Sequence, residues 1–168
     1  MTVTDARPAA DTLLRRTFGQ FATGVAVVTT AGPDGPAGLT VNSVASVSLN
    51  PPLMLWCLRQ ESASLEVFST CRAFAVNVLA AGQSEVARTF ATRDHPDRFG
   101  TVSWTPGHEG APVLSGVTAW LVCRRTSPPI PAGDHVVVFG EVVRHHAFGG
   151  EPLVFAQSRF RRLCGEEP

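Results

Sequence analysis

A stretch without a single charged side chain, residues 35–58, constrains the fold of this chain more than any other segment. Small polar residues occupy even positions from residue 40 onward, and apolar residues occupy most of the odd ones. A period of two predicts an extended strand with one apolar and one polar face. The polar face contains only hydroxyls and amides, at Thr40, Asn42, Ser46, Ser48 and Asn50. It suits a flat, uncharged ring system, although the pattern alone favours an ordinary half-buried sheet face.

The order of the remaining elements predicts a mostly β barrel with only two or three helices. Asp11 is expected to cap a first helix that carries Leu14, Phe18 and Phe21 and ends at Gly24. Two further helices are expected, from Ser62 or Ser64 to residue 71 and over residues 83–91. The expected strands are residues 25–30, 38–49, 53–58, 73–79, 113–125, 135–146 and 153–156, with a hairpin turn at Asp34-Gly35. A β-bulge is expected at Asn42 and Ser43, next to the place where the alternation breaks.

Length and charge limit the classes of function. We expect a tail over residues 1–10 and a single domain over residues 11–168. Fourteen arginines balance fourteen acidic residues, which argues against nucleic acid or a membrane surface as the main partner. The longest apolar run, residues 53–58, is too short to span a membrane, and the polar N-terminus predicts a cytoplasmic protein.

No metal site is expected from the cysteines or histidines. Cys57, Cys71, Cys123 and Cys164 are far apart in sequence and form no CxxC pair, so buried free thiols are expected. The histidines show no ligand spacing either, and adjacent histidines on one strand point to opposite faces.

Three further groups are candidates for binding, each with a plain structural alternative. His135 begins a strand after a proline-rich loop, where an imidazole can stack near a ring or simply belong to a turn. Ser62 and Ser64 open a helix, where they serve as an anion site or only as caps. Arg98 is suited to a phosphate, or to an ion pair with Asp94 or Asp97. Signatures of Rossmann, P-loop and serine hydrolase sites are absent from the sequence.

Six short motifs follow one another along most of the chain. They are FGQFATGVAVVTT at residues 18–30, GLTVNSVASVSLNPP at 38–52, FAVNVL at 74–79, DRF at 97–99, GDH at 133–135 and GEV at 140–142. Each motif is weak alone, but the ordered set, over residues 14–163, resembles the flavin reductase family.

The resemblance implies a six-stranded antiparallel split barrel with a few peripheral helices, a homodimer, and NAD(P)H-dependent reduction of FMN or FAD. It also implies a flavin-dependent monooxygenase as the partner that receives reduced flavin. The family pattern puts flavin against Thr40, Asn42, Ser43, Ser46 and Ser48. The phosphate end would meet Ser62 and Ser64, with Arg98, and the nicotinamide would stack at His135. The chain departs from the family near its C-terminus, where a family tyrosine is missing and any role of that ring in nucleotide stacking would fall to Phe155 or Phe160.

Two rival functions remain open. One is another split-barrel oxidoreductase, such as the pyridoxamine-phosphate oxidase type, for which more basic residues would be expected before residue 58. The other is a non-catalytic flavin-binding or electron-carrier module, which would bind flavin without nicotinamide turnover. The sequence leaves open FMN versus FAD, NADH versus NADPH, and transfer of reduced flavin by diffusion or in a complex.

Overall fold

The computed structural model describes residues 7–163, with side chains from residue 11 onward. Its helices are α1 (Arg7–Phe18), α2 (Leu65–Thr70) and α3 (Ser84–Ala91), with short 3-10 turns at Phe99–Thr101 and His108–Gly110. Its strands are β1 (Thr23–Gly24), β2 (Ala26–Gly32), β3 (Gly35–Val41), β4 (Ala45–Leu49), β5 (Pro52–Arg59), β6 (Ala73–Val78), β7 (Trp104–Pro106), β8 (Pro112–Leu114), β9 (Ala119–Arg125), β10 (Ile130–Ala132), β11 (His135–Ala147), β12 (Val154–Ala156) and β13 (Arg159–Arg161). None of the helices in this part of the chain is both long and apolar enough to cross a membrane.

One antiparallel sheet dominates the molecule. Seven of its eight strands follow the order β3-β2-β6-β9-β11-β5-β4, and β10 pairs with β11 outside that path. Its two end strands, β3 and β4, are consecutive in the chain and are joined by residues 42–44 alone. This link therefore brings the two ends of a curled sheet together, and we call the place where they meet the seam. In the described residues no ladder pairs β3 with β4, and the main sheet has eight strands rather than the six expected.

The predicted β-bulge at Asn42 and Ser43 is wrong in position. The chain leaves the sheet at residues 42–44, and the irregularity in pairing lies between Ser46 and Ser48, opposite β5. The cause is tertiary, because residues 42–44 must carry the chain from one end of the sheet to the other. That requirement cannot be read from an alternating pattern.

The core lies on the inner face of the curled sheet. Trp56 of β5 is fully buried, and its ring makes edge contacts with Phe68 and Phe74 at centroid distances of 5.0 and 5.9 Å. Strand β5 alternates between buried residues such as Met54 and half-buried ones such as Leu55. Strand β5 is therefore not buried on both faces, although its sequence is apolar throughout. In the strand order it lies next to β4, at the end of the sheet.

Two other elements differ from the sequence predictions. Helix α1 begins at Arg7, so Asp11 lies inside the helix instead of capping it, and residues 7–10 are helical rather than part of a tail. Residues 1–6 lie outside the described residues. The strand expected over residues 113–125 is two strands, β8 and β9, separated by a turn in which Gly116 has a φ of +75°.

Candidate functional site

A cavity of about 490 Å³ lies at the seam of the sheet. Its walls are the ends of β3 and β5, the loop before α2, the end of α3, the loop after α3, and the first residue of β11. The lining residues are Leu39, Thr40, Val41, Asn42, Ser43, Cys57, Leu58, Arg59, Glu61, Ser62, Ala63, Ser64, Phe90, Ala91, Arg93, Arg98 and His135.

The floor of the cavity, residues 40–43, is uncharged and rigidly attached. The Thr40 hydroxyl donates to the carbonyl of Ala87 in α3 at 2.7 Å. The Ser43 hydroxyl accepts from the Cys57 N–H at 3.0 Å and faces the Cys57 carbonyl at 3.2 Å. These hydroxyls therefore fasten the floor to α3 and β5. Asn42 is exposed, and its side chain makes no hydrogen bond within the described residues, so its amide is the floor group most free to meet a ligand.

His135 forms one wall of the cavity. Strands β10 and β11 make a hairpin whose two-residue turn, Gly133-Asp134, has a positive φ of +67° at the glycine. The His135 ring nitrogen Nδ1 lies 2.7 Å from a carboxylate oxygen of Asp134. This hydrogen bond and the charge interaction with His135 hold the pKa of Asp134 below its ordinary value. With Nδ1 engaged, the other ring nitrogen, Nε2, is the one available to a ligand.

Gln60 ties the hairpin to the end of β5. Its backbone N–H donates to the Asp134 carbonyl at 3.0 Å, and its side-chain amide donates to the Gly133 carbonyl at 2.9 Å. The register of β5 and β11 puts His135 directly opposite Arg59. His135 therefore has a defined place beside Arg59, at the start of the loop that carries the serines.

The serine loop before α2 forms another wall. Ser64 occupies the position before the first residue of α2, but its hydroxyl makes no capping hydrogen bond. The Ser62 hydroxyl accepts from the Ser64 N–H at 3.2 Å. Both serines line the cavity. The Ser62 hydroxyl therefore stabilises the local turn, whereas the Ser64 hydroxyl does not cap the start of α2.

The arginines of the cavity were only partly foreseen. Arg98 lines it, but its guanidinium donates to the backbone carbonyls of Thr92 and Arg93 at 2.6 and 2.7 Å, and not to Asp94 or Asp97. Arg93 also lines the cavity and was not among the candidates predicted from the sequence. The available signal was its position just after α3, since Phe90 and Ala91 line the same cavity.

Several predicted site residues lie outside this cavity. Ser46 is exposed on β4, and the Ser48 hydroxyl accepts from the Asn50 N–H at 3.2 Å. Phe155 and Phe160 contact each other at a centroid distance of 5.7 Å, in a cluster that includes Phe90. The roles of these four residues in binding stay predictions from the sequence.

The cysteines agree with the expectation of free thiols as far as they are described. Cys71 and Cys123 are buried and Cys57 is half-buried in the cavity wall. Burial raises the pKa of Cys123 to about 12, so this thiol is protonated and inert at neutral pH. Cys164 lies outside the described residues. Within those residues, no three His, Cys, Asp or Glu side chains converge as metal ligands.

The chain is similar to known flavin reductases over most of its length. A family model described as "Flavin reductase like domain" matches residues 18–164. The chain is 42% identical to the FMN reductase (NADH) SmoA of Agrobacterium fabrum, covering 89% of this chain and 84% of the relative. It is 43% identical to an NADH-dependent FAD reductase of Streptomyces globisporus, with 90% and 85% coverage. It spans only 50% of the length of a probable flavin reductase of Rhizobium meliloti, to which it is 44% identical.

Solved structures give the same result. The NADH:FAD oxidoreductase SgcE6 of Streptomyces globisporus, in complex with NAD and FAD fragments, superposes with a TM-score of 0.89 at 38% identity over the whole of both chains. A homologue of nitrilotriacetate monooxygenase component B from Mycobacterium thermoresistibile superposes with a TM-score of 0.91 at 32% identity, covering 97% of this chain and 93% of that one. The family and the reaction class predicted from the sequence motifs are thereby confirmed, and this chain belongs to the flavin reductase-like domain family.

Proposed function

We propose that this chain is an NADH-dependent flavin reductase that supplies reduced FMN or FAD to a flavin-dependent monooxygenase. The observation that carries the proposal is the cavity at the seam, which is lined by an uncharged floor, by His135 and by the arginines Arg59, Arg93 and Arg98. Relatives named as NADH-dependent FMN and FAD reductases support the donor and the acceptor. Relatives named as reductase components of flavin-dependent monooxygenases support the partner.

The cavity is suited to flavin in size and in chemistry. Its volume of about 490 Å³ falls within the range of small-molecule and cofactor sites, roughly 300–1,000 Å³. The floor offers the Asn42 amide and peptide groups to a polar ring without any formal charge. The proposed flavin-lining set within the cavity is Thr40, Asn42 and Ser43 on the floor. Ser46 and Ser48 lie on β4 outside the cavity and would meet only a part of the flavin that extends beyond it. Ser62, Ser64 and Arg98 border the proposed phosphate end.

Hydride acceptance from nicotinamide is chemistry that flavin supplies when bound, so the protein needs no strong acid, base or metal for it. The role of this chain is to bind and orient. Thr40 and Ser43 keep the floor fixed through their bonds to α3 and β5, which limits rearrangement when a ring stacks on it. The Asn42 amide is positioned to donate to a flavin edge that becomes electron-rich. His135, oriented by Asp134, borders the place where a nicotinamide ring would stack.

Steady-state NADH oxidation tests the proposed activity directly. Purified protein is assayed with NADH or NADPH, in each case without flavin and with FMN or FAD. We expect NADH oxidation to rise strongly when flavin is added, with NADH preferred to NADPH. Oxidation that does not respond to either flavin would contradict the proposal. Flavin binding without nicotinamide turnover would instead favour the electron-carrier module.

We also propose that the curled sheet is a split barrel and that the chain forms a homodimer. The short link across the seam supports the barrel. Apolar side chains that face solvent in the single chain support the dimer: Val47 is 47% and Leu49 93% exposed on β4, and Leu14 and Phe18 of α1 are more than half exposed. A cytoplasmic location stays a prediction from the sequence.

A further inference from the structure

The loop after α3 is held in shape by the Arg98 side chain. One guanidinium nitrogen, Nη2, donates to the carbonyls of both Thr92 and Arg93. The backbone of the same loop is fixed at its far end, where the Asp97 carboxylate accepts from the Gly100 N–H at 2.7 Å. The Arg98 guanidinium therefore spans its own loop and donates its hydrogen bonds to two backbone carbonyls.

The consequence falls on Arg93. The Arg93 backbone carbonyl accepts one of the two hydrogen bonds from Arg98, so the position of the Arg93 Cα is fixed relative to the cavity. Its side chain is exposed at the cavity wall and has no hydrogen bond or ion pair with any described residue. The acidic residue of the cavity lining, Glu61, forms no ion pair with it. Arg93 is thus a cation that the fold holds at the cavity without giving it a partner.

Two other arginines line the cavity, and their surroundings differ. Arg59 lies opposite His135 in the sheet, so it belongs to the proposed nicotinamide wall. Arg98 has two contacts with its own loop, and its Nε is buried without a partner, so the head group is not free to turn outward. A guanidinium that is exposed, unpaired and anchored through its backbone is the best donor for a phosphate oxygen.

We propose that Arg93 binds the phosphate of the flavin, and that Arg98 acts as a positioning residue that holds Arg93 in place. The assignment rests on the proposed function and specifies which side chain distinguishes FMN and FAD from riboflavin. Removing Arg93 is expected to weaken FMN binding about 10- to 100-fold, the range for hydrogen bonds to a charged group. Riboflavin has the same ring but no phosphate, so its affinity is expected to change less than about twofold.

The experiment measures Kd values for riboflavin, FMN and FAD by quenching of flavin fluorescence, with R93A, R98A, R98K and the double variant R93A/R98A. R144A, which removes an exposed arginine of β11 outside the cavity, is the matched control and is expected to bind like wild type. R98A is expected to weaken FMN binding but to add little once Arg93 is gone, because it acts through that residue. R98K keeps a donor near the carbonyls and is expected to fall between wild type and R98A.

Equal losses for riboflavin and FMN in R93A would overturn the phosphate assignment. Additive losses in the double variant would show that Arg98 contacts the phosphate itself, and would overturn its positioning role. If R98A does not fold by circular dichroism, R98K and R93A/R98K supply the same cycle. These results are independent of turnover, since wild-type protein that binds FMN but leaves NADH unoxidised would contradict the proposed function alone.

Discussion

At the scale of the residue, the polar stripe of residues 40–48 divides into groups with different tasks. Thr40 and Ser43 use their hydroxyls on backbone groups of other elements, so they build the floor of the cavity. Asn42 retains a free amide. Asp134 acts through its neighbour, because its carboxylate engages the His135 ring. The polar residues of this site therefore include some that fix the backbone and others that are free to contact a ligand.

The Asp134–His135 pair gives a prediction at this scale. D134N removes the anionic acceptor and frees the imidazole to turn, so the KM for NADH is expected to rise by roughly three- to tenfold, the range of one hydrogen bond. The Kd for FMN is expected to stay within about twofold. D34N is the matched control, because Asp34 lies in the two-residue turn of the β2–β3 hairpin, outside the cavity.

The pH dependence of this effect follows from the lowered pKa of Asp134. A carboxyl whose pKa is depressed in the folded state contributes above its ordinary pKa and loses that contribution only as the pH falls through the lowered value. Asp134 is therefore expected to remain a carboxylate from about pH 6 to 8, so a change in the ratio of KM values between D134N and wild type within this range would not come from protonation of Asp134. A KM for NADH that D134N leaves unchanged at every pH in this range would contradict the role given to Asp134.

At the scale of the element, β11 is the strand that joins the core to the site. It pairs with β5 and β9 through the middle of the sheet, and its first residue, His135, lines the cavity. Gly140 lies where β11 passes over the core. A Cβ built there would come within 2.5 Å of the Phe74 ring and 2.8 Å of the Cys123 Cβ. Close packing, and not an unusual backbone angle, is the reason for glycine at this position.

G140A is therefore expected to lower the free energy of unfolding by about 1–3 kcal/mol, as overpacking of a core does. Urea denaturation followed by tryptophan fluorescence measures the change. G82A is the control, since a Cβ at Gly82 meets nothing within 4 Å, and a change within about 0.5 kcal/mol is expected. Equal stability of G140A and G82A would show that the core has room at β11.

At the scale of the whole molecule, several large apolar side chains of the described residues are exposed in the single chain. Two of the places where they lie are β4, where Val47 and Leu49 face solvent beside the seam, and α1. All the described side chains of α1 are exposed, and an isolated helix of this length is only marginally stable in water. Both surfaces support the proposed homodimer, in which a second copy would cover them.

L49D tests whether β4 is part of a dimer interface. A buried, unpaired carboxylate is costly, so the variant is expected to shift the protein from dimer to monomer in sedimentation velocity at micromolar concentration. I130D is the matched control, because Ile130 is 51% exposed on β10, away from β4. A wild-type protein that sediments as a monomer would contradict the homodimer, whereas a dimer that tolerates L49D would place the interface elsewhere.

The sequence by itself determined the features that depend on neighbouring residues. Apolar runs predicted β2 and β5, and the period of two from residue 40 onward predicted the extended chain that forms the end of β3 and β4. Asp34-Gly35 predicted the hairpin between β2 and β3. Helical spacing predicted α3, with Ala87 and Phe90 buried. The ordered motifs identified the family, and with it the reaction. These succeed because periodicity, turn chemistry and motif order are written in consecutive residues.

Only the tertiary structure decided how distant segments meet. The break at residues 42–44 exists because the two ends of one sheet must be joined, and the strand expected over residues 113–125 is divided by the turn at Gly116. The alternative of an ion pair between Arg98 and Asp94 or Asp97 is wrong, because the Arg98 guanidinium donates to the carbonyls five and six residues before it. By its pattern alone, the charge-free stretch favoured a half-buried sheet face over a surface for a ring. Its position at the seam, where residues 40–43 line one cavity together with His135 and Arg93, makes it the floor of that cavity, because long-range strand pairing brings these segments together.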